Sequence, residues 1–293
     1  CALPIFYDWN EGKVKKYRRQ LDVDSAICSD RYVRNGIEYR REYLASHPDR
    51  LIAIRLTADK KGALNFRVAM SAQVPAKTKA GGNGQLTLTG HATGDPQQSI
   101  HFCAITRIAE TDGTVTADNE GITLRHATHA TIYFINETSY NGARRHPVSE
   151  AAPYLDRATE DIWHTINVHY DSVRRQHISD YQQYYNRVKL DLGADIPKQP
   201  TDQLLKQQTG KRYLETLYFQ YGRYLLISSS RTAGVPANLQ GLWTPHLWSP
   251  WRGNYTVNIN LEENYWPAFV SNLAEMAMPL DQFIAALADN GQH

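Results

Sequence analysis

The run Leu64-Asn65-Phe66-Arg67-Val68-Ala69-Met70 sets Leu64, Phe66, Val68 and Met70 at every second position. Successive side chains of an extended strand point to opposite faces, so this spacing predicts a β-strand with one face buried. The same period recurs outward, in Ile100, Phe102, Ala104 and Ile108 and again in Ala130, Ile132 and Phe134, between Leu51 and about Asn136. Turn signals separate such runs at Asn35-Gly36, Gly81-Gly82-Asn83-Gly84 and Asp112-Gly113. Asp112-Gly113 predicts a tight type I′ hairpin, because Asp-Gly accepts the positive φ that turn needs. Several short alternating strands at this spacing predict an antiparallel sheet packed as a sandwich.

From Ser149 onward the period becomes helical. Ile162, Ile166, Tyr170, Val173, Ile178, Tyr181 and Tyr184 or Tyr185 recur at intervals of three to five, an amphipathic stripe along one long helix or two consecutive ones. Val188-Lys189-Leu190-Asp191-Leu192, ended by Gly193, reads as a short strand, and Asp195 to Pro200 as a linker. A further helix is expected from about Arg212 to Ser229. Its Leu214, Leu217, Tyr218, Tyr221, Tyr224 and Leu225 cover a wide face, which predicts burial on most sides. Asn272-Leu273-Ala274-Glu275 resembles a capping box opening a helix through Leu287, which Pro279 should kink or break. The order is strands, then a helical linker, then helices.

Composition narrows the function. Of 293 residues 42% are hydrophobic and 21% charged, apolar mass enough to exclude a disordered chain. No run approaches the ~20 apolar residues of a membrane span, so no membrane insertion is expected. The net charge is only +2 with the signs interspersed, which argues against nucleic acid as a partner and for an uncharged substrate. Cys1, Cys28 and Cys103 are odd in number and widely spaced, so they read as small buried or half-buried residues. No metal-ligand spacing can be assembled from His, Asp and Glu, and no cofactor is expected. The chain holds eighteen Tyr and six Trp, and Trp243, Trp248, Trp251 and Trp266 fall close together. Aromatic faces stack on sugar rings, although such a cluster also suits a core.

Those tryptophans lie in 234–267, whose prolines and glycines predict a long irregular connection between helices. Within it, an extended Thr256-Val257-Asn258-Ile259-Asn260 would project Thr256, Asn258 and Asn260 together, with Val257 and Ile259 anchored behind. Two convergent amides can hold a water in line for attack, and can polarise it if a carboxylate draws from behind. The structural alternative makes Asn260 a helix N-cap with Glu263 three residues on, and leaves Asn258 to satisfy loop backbone. Trp9 and Trp163 read as core. His126 and His129 read as packing at the start of a strand, and His246 as a loop residue.

The stretch Phe219-Gln220-Tyr221-Gly222-Arg223-Tyr224-Leu225-Leu226-Ile227-Ser228-Ser229-Ser230-Arg231 resembles the helix that opens the barrel in glycoside hydrolase family 95. Pro236-Ala237-Asn238-Leu239-Gln240-Gly241-Leu242-Trp243, Asn258-Ile259-Asn260 and Asn264-Tyr265-Trp266-Pro267 are similar to that family's next motifs. Upstream, Tyr39-Arg40-Arg41-Glu42-Tyr43-Leu44-Ala45-Ser46 and Ile52-Ala53-Ile54-Arg55-Leu56-Thr57 resemble its amino-terminal β-domain. His177-Ile178-Ser179-Asp180-Tyr181 and Arg187-Val188-Lys189-Leu190-Asp191-Leu192-Gly193 resemble its linker helices.

The resemblance implies a β-sandwich domain over 1–145, a helical linker over 146–200, and the first helices of an (α/α)6 barrel over 201–293. It implies an inverting exo-α-L-fucosidase acting on fucosylated oligosaccharide or polysaccharide, secreted or periplasmic. Asn258 and Asn260 match the asparagines that orient the attacking water. Trp243 and Trp266 occupy motif positions that could wall the sugar. Members carry His or Thr two residues before the first asparagine. Thr256 here would leave room for the extra C6 hydroxyl that distinguishes L-galactose from fucose. The family's acid Glu and base Asp are not placed in this chain; Glu262, Glu263 and Glu275 read instead as first-turn carboxylates favoured by a helix dipole. The chain is thus expected to be an internal part of a longer protein and hydrolytically inactive by itself. A non-catalytic carbohydrate-binding or scaffold module, and a phosphorylase of related architecture, are the alternatives; the second lacks an evident phosphate loop.

Overall fold

A computed structural model describes residues 5–7, 12–82 and 84–291, so Cys1, Trp9 and Asn83 lie outside the described residues. The run around Phe66 is strand β6 (Leu64–Val68) of a four-stranded antiparallel sheet. The others in that sheet are β1 (Ile5–Tyr7), β10 (Thr114–Asp118) and β11 (Gly121–Ala127), in the order β1-β6-β11-β10. An eight-stranded sheet contains β2 (Lys15–Asp22), β3 (Ile27–Arg34), β4 (Ile37–Ser46) and β5 (Leu51–Ala58). It continues through β7 (Ala76–Gly81), β8 (Gln85–His91), β9 (His101–Ala109) and β12 (His129–Thr138), in the order β2-β3-β4-β5-β12-β9-β8-β7. Helices follow: α1 (Tyr154–His164), α2 (Tyr170–Tyr185), α3 (Thr201–Gln207) and α4 (Lys211–Ser229). The last three are α5 (Asn260–Glu263), α6 (Pro267–Val270) and α7 (Met278–Asn290).

The described residues divide into two units. One runs through Asp22 and from Ala26 to Asp180; the other takes Val23–Ser25 and the residues from Tyr181 on.

In the first unit, Leu64, Phe66, Val68, Ile122 and Leu124 of the small sheet pack on Leu56, Leu86, Leu88, Ile108 and Ile132 of the large one. Strands β5, β9 and β12 are buried on their second face too: Ala53, Cys103, Ile105, Tyr133 and Ile135 meet Ala158 and Ile162 of α1 and Tyr170 and Val173 of α2. Two-sided burial explains why β9 reads Phe-Cys-Ala-Ile-Thr-Arg-Ile rather than as a clean alternation. Burial also pushes the Cys103 thiol up to about 11, so it behaves as a small hydrophobe.

Several expectations need correction. Asn35 and Gly36 both have positive φ, 51° and 79°, and close a two-residue hairpin between β3 and β4. Asp112-Gly113 does not make such a hairpin: it carries the chain from β9 in one sheet to β10 in the other. The Asp112 carboxylate accepts the N–H groups of Thr128 (2.7 Å) and His129 (3.2 Å), which hold its pKa well below the usual carboxylate range. Gly113 is needed for close approach, since a Cβ there would lie 2.5 Å from the Arg125 carbonyl oxygen. His126 sits in a bulge near the end of β11, with φ 56°, and only His129 opens a strand. The strands β2, β3 and β4 precede Leu51, where the period-two reading begins; β2 is exposed throughout and offers no apolar period.

Residues 188–192 are irregular rather than a strand. Trp163 is 64% exposed on α1, not core. Helix α3 falls where no helix was expected. Pro279 does not break a helix: α7 starts at Met278, and the proline occupies its first turn, where a missing N–H costs nothing. The capping box is not formed either, since Leu273 precedes a short 3-10 turn that has no side-chain cap.

The first unit holds α2 by a remote carboxylate. Glu110, just past β9, accepts the Tyr170 N–H (2.9 Å), His169 Nδ1 (2.5 Å), Arg55 Nη1 (3.2 Å) and the Thr131 hydroxyl (3.2 Å). Burial alone would raise its pKa, but these donors together hold it below the ordinary value. A depressed carboxylate contributes stability that is complete above its unfolded pKa of roughly 4.3 and is lost as pH falls through the folded value. Glu110→Gln is therefore expected to lower the unfolding free energy by about 1–3 kcal/mol at pH 7. It should also flatten the loss of stability below pH ~4; urea titrations at pH 7 and pH 3 check both.

Candidate functional site

The second unit carries the irregular 231–259 segment between α4 and α5. Helix α4 does not bury its leucines and tyrosines on most sides, for Tyr218 is 81% exposed. Its buried residues are Gln220, Arg223, Leu226 and Ile227. Arg223, 2% exposed, donates to the carbonyls of Tyr185 (2.7 Å), Tyr184 (2.9 Å), Val188 (3.1 Å) and Ser271 (3.3 Å), and to Gln220 Oε1 (3.1 Å). Its guanidinium also lies 5.5 Å from the Tyr185 ring centre. One fork of donors thus ties α4 to the end of α2 and to the turn after α6. Val188, expected in a strand, spends its carbonyl here and on Gln220 (3.2 Å).

Tyr265 anchors the start of the loop. Its buried hydroxyl accepts the Ala237 N–H (2.7 Å) and the Ser230 hydroxyl (3.3 Å). Next to it, Asn264 Nδ2 donates to the Asn238 carbonyl (3.1 Å), and Asn238 Oδ1 accepts the Gln240 N–H (2.8 Å). The Leu239 N–H reaches the Asn254 carbonyl (3.0 Å), so Ala237 to Gly241 is held from both flanks. Sequence reading gave Tyr265 and Asn264 no role beyond their motif. The available signal was a tyrosine and an asparagine among prolines and glycines, where loop N–H and C=O groups need side-chain partners.

Residues 256–260 are not extended. Thr256 has φ 26°, 257–259 form a turn, and Asn260 is the first residue of α5. Val257 and Ile259 are exposed rather than anchored behind; the anchors are Leu261, 2% exposed, and Tyr255, whose ring centre lies 4.4 Å from that of Phe283. The Thr256 hydroxyl donates to Asn254 Oδ1. Its carbonyl accepts the Leu261 N–H (3.3 Å), closing the turn.

Asn260 is not an N-cap either, since Ile259 holds that position and no side chain caps the helix. Asn258 is exposed and Asn260 half-buried, and neither amide has a hydrogen-bond partner among the described residues. No hydrogen bond or ring contact joins Trp243 or Trp266 to Thr256, Asn258 or Asn260 among the described residues; both rings are more than half exposed. His246 is likewise exposed. Glu262 and Glu263 stand in the first turn of α5, and one oxygen of Glu262 is buried without a hydrogen-bond partner among the described residues. Glu275 pairs with Arg187 at 2.9 Å.

Along the chain a sandwich is followed by helices, and the 231–259 loop exposes Trp243, Trp248, Trp251, Asn254 and Asn258. Residues 4–143 match the N-terminal domain of glycosyl hydrolase family 65. Residues 169–293 match the catalytic domain of glycosyl hydrolase family 95. The helical stretch from 169 on is thus similar to family 95. It is 29% identical over 306 residues to alpha-L-fucosidase 2 of Arabidopsis thaliana, an alignment covering 94% of this chain and 36% of that protein. It is 30% identical over 285 residues to a probable alpha-fucosidase A of Aspergillus niger, covering 92% and 35%. A probable alpha-fucosidase A of Aspergillus oryzae is 25% identical over 289 residues, covering 93% and 40%. The chain thus spans little more than a third of the length of these relatives. A solved structure described as a putative kojibiose phosphorylase from human microbiome shares the fold, with a TM-score of 0.58 at 12% identity over 86% of this chain and 34% of its own. Among the described residues no helix is long and apolar enough to cross a membrane.

Proposed function

We propose that this chain is the sandwich domain, helical linker and opening barrel helices of an inverting exo-α-L-fucosidase, in which Asn258 and Asn260 hold the attacking water. The observation that supports this most directly is that Asn258 and Asn260, within the stretch that matches the family 95 catalytic domain, carry amides with no hydrogen-bond partner among the described residues. A carboxamide oxygen accepts a proton from water while its NH₂ donates elsewhere, so two amides fix the water's orientation without becoming charged. Inversion needs the water on one face of the sugar and a protonated acid on the other, with carboxyl groups roughly 6.5–9.5 Å apart. We assign neither that acid nor a base to this chain, and the isolated chain is expected to release no fucose.

The substrate we propose is a terminal α-L-fucosyl residue of an oligosaccharide or polysaccharide, hydrolysed by a secreted or periplasmic enzyme, with Trp243 and Trp266 beside the ring. Thr256 sets the room near the sugar's C6. In the full-length enzyme carrying this chain, NMR of the first product is expected to show β-L-fucose from an α-L-fucoside. Initial release of α-L-fucose, or none, overturns the proposal. The same assay on a matched α-L-galactoside reads the tolerance that Thr256 is proposed to confer.

A further inference from the structure

The outer face of β2, β3 and β4 carries an arrangement that sheet physics disfavours. In the strand register Arg18 stands directly opposite Arg31, and Arg31 directly opposite Arg40. Directly opposed residues share a face with Cβ atoms about 4.5–5.5 Å apart, and like charges placed so are destabilising. All three guanidiniums are exposed and permanently charged. Arg40 has one ion pair, to Glu38 at 2.6 Å, while Arg18 and Arg31 have none among the described residues.

This row borders a cavity of about 430 Å³ that is also lined by Arg55, Gln20 and Thr57. Two carboxylates reach the cavity and both are occupied. Asp30 accepts from Arg41 Nε (2.7 Å) and the Tyr43 hydroxyl (3.0 Å). Glu42 accepts from the Tyr170 hydroxyl (2.7 Å) and Arg174 Nε (2.6 Å). Arg55 is turned to Glu110 and Thr131. The surplus positive charge therefore belongs to the row itself.

We propose that this cleft is a second, non-catalytic site for an anionic glycan, one bearing sulfate or carboxylate groups. A guanidinium fork matches either oxyanion with two parallel hydrogen bonds. Gln20, Ser29 and Thr57 beside the row offer neutral partners for sugar hydroxyls. Among the described residues no aromatic side chain lines the cavity. A neutral sugar would therefore lack a stacking face and a nucleic-acid strand would lack a platform for its bases, so charge has to carry recognition. That the polyanion is a carbohydrate rests on the family 95 reading; that it is an anion rests on the arginine row alone.

Calorimetric titration of the chain with four probes tests this: a sulfated fucan oligosaccharide, an oligogalacturonate, a neutral fucosylated xyloglucan oligosaccharide, and single-stranded DNA of matched charge. Binding of either anionic glycan, weakening between 0.05 and 1 M salt as the screening length shrinks to ~3 Å, supports the site and identifies the anion. Arg18→Gln with Arg31→Gln is expected to weaken that binding about tenfold or more while leaving the thermal midpoint unchanged or raised, because an opposed like-charge pair is removed. Equal binding of the neutral glycan, tighter binding of DNA, or unaltered affinity in the double variant overturns it. Fucoside hydrolysis by the full-length enzyme without anionic-glycan binding refutes this inference and spares the catalytic proposal; the reverse result does the opposite.

Discussion

Alanine at Asn258 or at Asn260 is expected to lower kcat for α-L-fucoside hydrolysis by about 10²–10³, the scale found when one preorganised hydrogen-bonding group is removed from a reacting centre. KM should change little, because the amides are proposed to hold the water and not the sugar. The structural cost should be small. Asn258 is exposed in the 257–259 turn, Asn260 makes no cap bond, and the turn is held by Leu261, Tyr255 and the Thr256 carbonyl. Surface substitutions of this kind stay within about 0.5 kcal/mol. Steady-state kinetics and thermal unfolding of the two single variants in the full-length enzyme separate the outcomes. A fall in kcat at constant thermal midpoint and KM supports the water-holding role. Unchanged kcat at constant midpoint removes it, and leaves the resemblance as shared ancestry only. Paired loss beyond either single variant, but far below their product, is further expected if both amides grip one molecule.

The fold was readable where one face of an element is wet. Leu64 to Met70 alternates because β6 has core on one side, and Asn35-Gly36 names its own turn because both residues adopt positive φ. Where burial is two-sided or absent less was readable. Strands β9 and β12 were legible through Phe102, Ala104 and Ile108 and through Ala130 and Ile132, but not the helix cover on their second face; β2, exposed throughout, has no apolar period. Asp112-Gly113 carried a hairpin signature but serves a crossover between sheets. Its glycine is demanded by the nearby Arg125 carbonyl, a contact 12 residues away that no local rule contains.

The candidate site was readable as residue types, not as conformation. Asn258 and Asn260 could be singled out by their spacing and motif, yet the extended backbone assumed for them is replaced by a turn. The cause involves residues flanking the asparagines: Tyr255 packs on Phe283 and the Thr256 carbonyl accepts the Leu261 N–H, which closes the chain into a turn instead of letting it run straight. Tyr265 and Arg223 lay inside quoted motifs without a role, since a side chain that satisfies remote backbone carbonyls or N–H groups leaves no periodic trace.

Arg223→Ala is expected to destabilise the second unit by about 3–5 kcal/mol, in the range seen when one partner of a buried charged network is deleted. Two effects oppose each other. Burial pulls the Arg223 pKa below its ordinary value, with Tyr185 pushing the other way, so the charge is held at some desolvation cost that alanine would relieve. Against this, the substitution removes a donor from four carbonyls. Val188 keeps Gln220 Nε2 (3.2 Å) and Tyr184 keeps the Arg187 N–H (3.3 Å), but those of Tyr185 and Ser271 are orphaned, and each buried unsatisfied group costs about 1–3 kcal/mol. The two orphans, together with the lost packing of the side chain, outweigh the relief. Arg223→Met separates the contributions: it restores most of the volume but no donor, and should recover only the packing part. Arg223→Lys keeps the charge but has three donors on a point ammonium instead of a planar fork, so it cannot span carbonyls contributed by both the end of α2 and the turn after α6. Calorimetric unfolding should show the transition of the residues from Tyr181 on lowered by at least about 10 °C in Arg223→Ala, with Met and Lys between it and the parent. A methionine variant as stable as the parent would mean that the carbonyls are satisfied without the guanidinium, and that the fork is a consequence of the packing of α4 and not its cause.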